Sequence, residues 1–180
     1  MKKNLNIQLS YYLGILFFFS IIYLVRKHDV GNDSTISEWL INYSGGFTKR
    51  GLIGHVCIVI ANFFNQNLRD VIVTLQILLV GSYFLLLLNF FKNILVNKII
   101  ILSIFTPIFI LYPVAEIEVL ARKELFIFCI FIVYLYLEKP LFRNIYKIVF
   151  LSIAILIWEP VIFYFTFFLA IDIIDNKIEK

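Results

Sequence analysis

Hydrophobic residues occur along this chain in long runs that are separated by shorter polar stretches. An α-helix rises about 1.5 Å per residue, so about 20 apolar residues cross a hydrocarbon core that is about 30 Å thick. About five runs approach this length, at residues 9–25, 71–91, 99–115, 118–137 and 148–171. The fourth does so only if its charged first residues are included. The pattern predicts an all-α polytopic transmembrane helical bundle, with residues 1–180 forming a single integral membrane domain.

The longest polar stretch lies between the first two predicted spans. It covers residues 26–50, and its glycine, asparagine and serine residues predict a loop with turns. The apolar run 52–64 follows, and as a helix it would be only roughly 20 Å long. That length is too short for a comfortable crossing and is typical of an interfacial or re-entrant helix.

The composition supports a membrane protein and excludes several function classes. Hydrophobic residues make up 62% of the chain and charged residues 16%, against about 45–50% and about 25% in soluble domains. The net charge is +4, but no basic run alternates with aromatic residues, so no nucleic-acid partner is expected. Cys57 and Cys129 lie in apolar runs without the spacing of a metal site, so we expect neither a metal nor a disulfide. The sequence leaves any cofactor unknown.

Basic residues determine the expected orientation. Lys2 and Lys3 precede the first run and no small-residue cleavage site follows it, which predicts an uncleaved signal anchor. With five spans, the side of the amino terminus carries seven basic residues in short connections, namely Lys2, Lys3, Lys92, Lys98, Lys139, Arg143 and Lys147. This density favours a cytoplasmic amino terminus. The loop 26–50 and the charges at 116–124 would then share the outer face.

Two adjacent cations in the outer loop are candidate ligands for an anion. Lys49 and Arg50 stand between glycines, directly before the helix predicted at 52–64. Flexible backbone amides and a helix amino terminus both favour an anion there, and a lipid-linked phosphate would fit. Arg50 is the first candidate because a guanidinium binds phosphate oxygens in pairs. The alternative is that both side chains extend to lipid headgroups without binding a specific ligand.

A second charged group precedes the apolar run that ends near residue 137. Arg122 and Lys123 could complete a phosphate site with Arg50, while Glu116 or Glu118 could accept a proton from an incoming hydroxyl. The alternative is structural, because Glu118 and Arg122 are four residues apart and would form an ion pair on a helix. In the outer loop, Glu38 is a further candidate base, against the alternative of a solvated loop charge.

Glu159 is the most unusual single residue, since it stands inside the predicted span 148–171 and near the bilayer midplane. Pro160 follows it and cannot donate a backbone hydrogen bond, so the helix should open locally, as is common where a helix lines a cavity. A protonated glutamate packed against another helix is the alternative.

The segment 39–54, which reads WLINYSGGFTKRGLIG, resembles the first outer loop of a poorly characterised group of bacterial polytopic membrane proteins. Those proteins are associated with surface-polysaccharide synthesis and are similar to the GT-C class of membrane glycosyltransferases. Similar members also carry a basic-acidic triplet like that at residues 122–124 and a late carboxylate like Glu159. The resemblance covers about a third of the chain.

The resemblance implies a glycosyltransferase-like protein of the bacterial cytoplasmic (inner) membrane. It would move a sugar from a polyprenyl-phosphate donor to a glycan or lipid-linked acceptor at the outer face. The base that deprotonates the acceptor hydroxyl would be Glu38, Glu116 or Glu118. The cations that stabilise the leaving phosphate would be Lys49, Arg50, Arg122 and Lys123.

The chain departs from the family pattern in two respects. Lys49 and Trp158 occupy positions where the pattern has Arg and His, and GT-C enzymes have about twice as many spans. We therefore expect a truncated, divergent or partner-dependent member, working with a partner membrane subunit or as an oligomer. Two other functions remain open: a component that transports or flips a lipid-linked glycan or an anionic solute, and a non-catalytic membrane partner.

Overall fold

The computed structural model of the protein describes residues 2–30, 34–93, 99, 102 and 120–178. Within these residues the secondary structure is helical and contains no strand. The helices are α1 (Lys2–Val30), α2 (Ser34–Trp39), α3 (Leu52–Phe64), α4 (Leu68–Asn93), α5 (Glu124–Leu135), α6 (Pro140–Ile157) and α7 (Phe165–Ile178), with a 3₁₀ helix, Glu159–Tyr164, between α6 and α7. The predicted all-α class is confirmed for this part of the chain.

Three of these helices are long and apolar enough to cross a membrane, at Ile7–Asp29, Leu68–Lys92 and Pro140–Ile157. The first two contain the spans predicted at 9–25 and 71–91. Helix α3 has the bounds predicted for the short helix at 52–64. The span predicted at 99–115 falls almost wholly outside the described residues, as do Glu116 and Glu118.

The helix α5 is shorter than the span predicted at 118–137. It begins at Glu124 and has 12 residues, because the chain immediately before it forms a turn. Ala121 in that turn has a φ of 59°, in the left-handed region, which a right-handed helix cannot contain. A turn therefore occupies residues 120–123, where the sequence predicted helix.

The run predicted as one span at 148–171 is divided into two helices. Trp158 is extended, with φ −155° and ψ 101°, and ends α6. Ion pairs then join the start of α6 to the end of α7, at Arg143–Asp175 (2.6 Å) and Lys147–Asp172 (2.5 Å). Because residue 143 pairs with 175 and residue 147 with 172, the two helices are antiparallel and turn back near residue 159. The helix ends here because Pro160 has no N–H to continue it. The chain folds back because Asp172 and Asp175 of α7 form ion pairs with the two cations of α6.

Helix α4 is the centre of the bundle and contacts α1, α2, α3 and α5. It is antiparallel to α1, since Phe17 lies 5.6 Å from Phe84 by ring centroids and His28 lies 2.9 Å from Asp70. It is parallel to α5, since Tyr83 meets Phe128 near the start of α5 and Phe90 meets Tyr136 just beyond its end, each pair at 6.5 Å. The buried core between these helices consists largely of apolar side chains, among them Leu13, Leu24, Ile72, Val80, Leu87 and Leu125.

These directions define two ends of the bundle. Helix α6 is antiparallel to α5, because Tyr146 near its start donates a hydrogen bond to the carbonyl of Ile130 (2.9 Å) and Ala154 near its end packs with Ile127. The first end therefore holds the carboxyl end of α1, the amino ends of α4 and α5, and the turn at 158–159. The second end holds the carboxyl ends of α4, α5 and α7 and the start of α6.

Candidate anion-binding site

The loop between α2 and α3 is braced by its own hydrogen bonds. The amide of Asn42 donates to the carbonyl of Leu40 and accepts from the backbone N–H of Ser44, both at 2.8 Å. The hydroxyl of Thr48 donates to the carbonyl of Asn42 at 3.0 Å. Asparagine side chains commonly stabilise turns in this way, so the loop has a defined conformation.

Two glycines of the segment 39–54 are required by close packing. At Gly54, in α3, a side chain would collide with the carbonyl oxygens of Trp39 and Ile41. At Gly51 it would collide with the ring of Tyr43. The glycines therefore bring the loop backbone directly against the start of α3.

Trp39 joins this loop to the turn before α5. It is fully buried, its Nε1 donates a hydrogen bond to the carbonyl of Ala121 (3.0 Å), and its ring lies 5.7 Å from that of Phe126. No site role was predicted for Trp39, although a tryptophan at the start of a polar loop is a sequence signal for a buried contact. The contact brings residues 39 and 121 together across the interior.

Lys123 makes the second connection between the same two segments. Its side chain is 1% exposed, and its Nζ donates a hydrogen bond to the carbonyl of Arg50 at 2.6 Å. Burial lowers the pKa of Lys123 to about 8. This hydrogen bond brings the loop near residue 50 against the turn that carries Arg122 and Lys123.

Arg122 is held by two carboxylates. Its Nε and Nη2 donate to the two oxygens of Glu38 at 3.2 and 2.7 Å, and its Nη2 lies 3.4 Å from Glu124. A guanidinium that pairs with both oxygens of a carboxylate is strongly oriented. Glu38 thus serves as an ion-pair partner of Arg122, a role that the sequence had suggested for Glu118.

Arg50 and Glu159 form the third and loosest ion pair. A single contact of 3.4 Å joins Arg50 Nη2 to Glu159 Oε1, and the two side chains are 33% and 37% exposed. Glu159 is the first residue of the 3₁₀ helix, at the turn between α6 and α7. The run predicted at 148–171 is therefore interrupted at Glu159, because α6 has already ended at Trp158, and the local opening expected at Pro160 is a complete break between two helices.

Lys49 is exposed, whereas its neighbour Arg50 is half-buried. The six residues at the junction, which we call the charged site, are Glu38, Arg50, Arg122, Lys123, Glu124 and Glu159. Their formal charges cancel when all six are ionised. Helices α3 and α5 both begin here, at Leu52 and Glu124, and helix amino termini favour anions.

The described part of the chain contains no group of three or more His, Cys, Asp or Glu arranged to hold a metal ion. The groups that the charged site contains are guanidinium, ammonium and carboxylate groups. It can exchange one anion for another at a cation and can move a proton to a carboxylate.

Comparisons of the chain with protein-family models, with curated proteins and with solved structures found no match. The function therefore has to be argued from the charged site and its surroundings.

Proposed function

We propose that the protein binds the phosphate of a polyprenyl-phosphate-linked sugar at Arg50 and takes part in transferring that sugar at the outer face of the bacterial cytoplasmic membrane. The observation that supports this is the contrast between the cations of the charged site. Arg122 is bound to both oxygens of Glu38 and Lys123 is buried against a carbonyl, whereas Arg50 has one long contact with Glu159. Arg50 is the cation most available to an incoming anion.

Binding would proceed by exchange of anions at Arg50. A phosphate oxygen replaces the carboxylate of Glu159, and the guanidinium can then bind two phosphate oxygens at once. The charge of Arg50 stays compensated throughout, so the exchange avoids an unpaired cation. Helix α3 begins two residues after Arg50, and the backbone amides of a helix amino terminus favour an anion.

The same exchange supplies a base. Once phosphate occupies Arg50, the carboxylate of Glu159 loses its cation and remains close to the bound donor. The acceptor hydroxyl oxygen attacks the anomeric carbon, the bond from that carbon to the phosphate oxygen breaks, and the phosphate leaves with the electron pair. Arg50 stabilises its charge, and Glu159 takes the hydroxyl proton. Glu159 suits this role better than Glu38, whose two oxygens both accept from Arg122.

Binding of polyprenyl phosphate to the protein in lipid nanodiscs tests the first step. Arg50→Gln should weaken binding by about tenfold, the cost of one charge-assisted hydrogen bond. Lys49→Gln is the matched control, since it removes the adjacent and exposed cation of the same loop. Equal losses in the two variants would show non-specific attraction to basic loop residues and would contradict the proposal.

Surface glycan in cells tests the outcome of the reaction. Arg50→Ala should abolish the glycan modification while the protein remains inserted and abundant in the membrane fraction. A normal glycan in that variant would exclude the transferase function.

Transport or flipping of the lipid-linked glycan is the second candidate. The feature that motivates it is the carboxylate of Glu159 beside Pro160, next to the cation of Arg50, which would attract an anionic lipid headgroup. Glu159→Gln separates the two functions, because a transporter would lose substrate movement and keep sugar transfer, whereas the transferase would lose transfer itself. A non-catalytic partner would tolerate both Arg50→Ala and Glu159→Gln.

A further inference from the structure

Three rings lie beside the charged site, two of them stacked and the third tilted against the stack. The rings of Tyr43 and Phe47 are nearly parallel, with 5.5 Å between centroids and 16° between planes. The imidazole of His55, in α3, lies 5.7 Å from the Tyr43 ring. Phe47 is 79% exposed, so it is the outer ring of the stack. We call Tyr43 and Phe47 the aromatic platform.

The platform is fixed in position relative to Arg50. The Tyr43 ring covers Gly51, the residue after Arg50, so closely that no side chain could fit there. The hydrogen bonds of Asn42 and Thr48 hold the loop on both sides of the platform. Gly46, with φ 115°, permits the turn between the two rings, a conformation that other residues rarely adopt.

The surroundings of the platform are polar. Ser44, Thr48 and Lys49 are all exposed in the same short loop, and the carboxylate of Glu159 reaches Arg50 next to it. A flat apolar face with a few polar groups at its edge is the usual composition of a site for an amphipathic small molecule. Pyranose rings are such molecules, since they present C–H groups on a face and hydroxyls at the rim.

We propose that the exposed face of Phe47 stacks against the pyranose ring of the sugar that is bound next to Arg50. This rests on the proposed function, in which the phosphate of the same molecule occupies Arg50. The negative face of an aromatic ring attracts the partially positive C–H groups of the sugar. The hydroxyls at the rim meet the polar side chains of the loop.

Insertion of Phe47 into the lipid interface is the competing explanation, since aromatic residues are common at that depth. A lipid anchor requires neither a second ring behind the first nor a braced loop. The near-parallel backing by Tyr43 and the bonds of Asn42 favour a preorganised binding face.

Two lipids, a polyprenyl-phosphate hexose and sugar-free polyprenyl phosphate, test the platform in nanodiscs. Phe47→Leu keeps an apolar side chain but removes the aromatic face. It should weaken binding of a polyprenyl-phosphate hexose by about fivefold and leave binding of sugar-free polyprenyl phosphate unchanged. Phe63→Leu is the matched control, because Phe63 is 78% exposed on α3 and lies away from this loop. Equal losses for both lipids would identify a lipid anchor and overturn the proposal.

A soluble probe keeps this test separate from the phosphate site. In Phe47→Trp, a phosphate-free oligosaccharide of hexopyranoses should shift the indole emission, and the shift should persist when Arg50→Gln is added. If the phosphate lipid does not bind but the oligosaccharide still shifts the indole emission, the proposed function is excluded and the platform is not. Absence of any sugar-dependent shift, together with equal affinity of Phe47→Leu and the unaltered protein for the sugar-bearing lipid, would remove the platform.

Discussion

Arg50 and Ala121 both have positive φ, at 64° and 59°, although neither is glycine. This backbone conformation costs a non-glycine residue a free energy of about 1–3 kcal/mol, so it persists only where contacts with the surrounding structure enforce it. Each residue has its carbonyl bound across the junction, Arg50 by Lys123 and Ala121 by Trp39. The carbonyls of two strained residues therefore accept the hydrogen bonds that join the loop to the turn before α5. The bond at Arg50 holds the backbone from which its side chain extends.

Binding of the phosphate lipid should depend on pH through Lys123. The pKa of Lys123 is lowered to about 8 by burial, so raising the pH from about 7 to about 9 removes its charge. The charged site then becomes net negative, and affinity for polyprenyl phosphate should fall about fivefold. The ligand contributes little to this change, since the second pKa of a phosphate monoester is about 6.

Lys123→Met is the control, because its affinity should not change over the same pH range. Unfolding does not explain the loss either: the pKa of Lys123 is lower in the folded chain than its ordinary value, so deprotonation favours the folded state and stability from this group rises with pH. An unchanged pH profile in Lys123→Met relative to the unaltered protein would contradict the assignment.

The sequence made Arg50 a candidate anion ligand, through its glycine neighbours, but did not indicate its ion-pair partner. Glu159 lies 109 residues further along the chain, and no local pattern connects the two. The sequence ranked Arg50 before Lys49 because of its guanidinium, but it did not indicate that Lys123 is buried and Lys49 exposed, because burial is determined only in the fold. Tertiary contacts, rather than residue type, decide which cation is available.

Among the elements, α3 depends on its close contact with the loop at Gly54. Gly54→Ala should lower the free energy of unfolding by about 3 kcal/mol, because its methyl group would displace the carbonyls of Trp39 and Ile41. Gly14→Ala in α1 is the matched control, since a side chain there meets nothing within 4 Å and alanine favours helix. Denaturant unfolding in detergent measures both, and equal stability of the two variants would contradict this packing.

The hairpin of α6 and α7 depends on the charges at the second end. Asp172 pairs with Lys147 and accepts a hydrogen bond from the hydroxyl of Tyr134. Asp172→Asn should lower the free energy of unfolding by about 2 kcal/mol, because Lys147 is only 13% exposed and would lose its ionised partner. A double-mutant cycle with Lys147→Met should give a coupling energy above about 0.5 kcal/mol, whereas additive effects would show that the pair is unimportant.

The apolar pattern predicted the elements better than their connections. It located α1, α3 and α4 because long or bounded apolar runs carry that information directly. It treated 148–171 as one helix, since the run is continuous in hydropathy and the ion pairs that fold it back join residues 25 and 32 positions apart. Hydrophobic periodicity carries no information about ion pairs between residues so far apart along the chain.

In the part of the molecule that the structure describes, two groups of paired charged side chains lie at opposite ends of the bundle, with an apolar layer between them. The charged site lies at the first end, and Arg143, Lys147, Asp172 and Asp175 lie at the second end. Helix α6 is about 27 Å long, but Arg143 and Lys147 lie inside it, so its uncharged part from residue 148 to residue 157 is only about 15 Å long. This is shorter than the hydrocarbon thickness of a bilayer, about 30 Å, so the long stems of the two cations would extend towards the headgroups.

Cysteine labelling in cells should place the two groups of charged side chains on opposite sides of the membrane. Ser44 and Lys139 are both exposed, the first in the loop of the charged site and the second just before α6. With Cys57 and Cys129 replaced, Ser44→Cys should react with an impermeant maleimide in intact cells. Lys139→Cys should react only after permeabilisation. Labelling of both in intact cells would contradict this arrangement.

The turn at Trp158 also determines at which end of the bundle α7 finishes. Helix α1 starts at the second end, because it is antiparallel to α4, and α7 returns to that end, where Asp175 meets Arg143. Five crossings would have separated Lys2 from Ile178, whereas the hairpin brings them to one side. Reporter domains fused to either terminus should therefore report the same compartment.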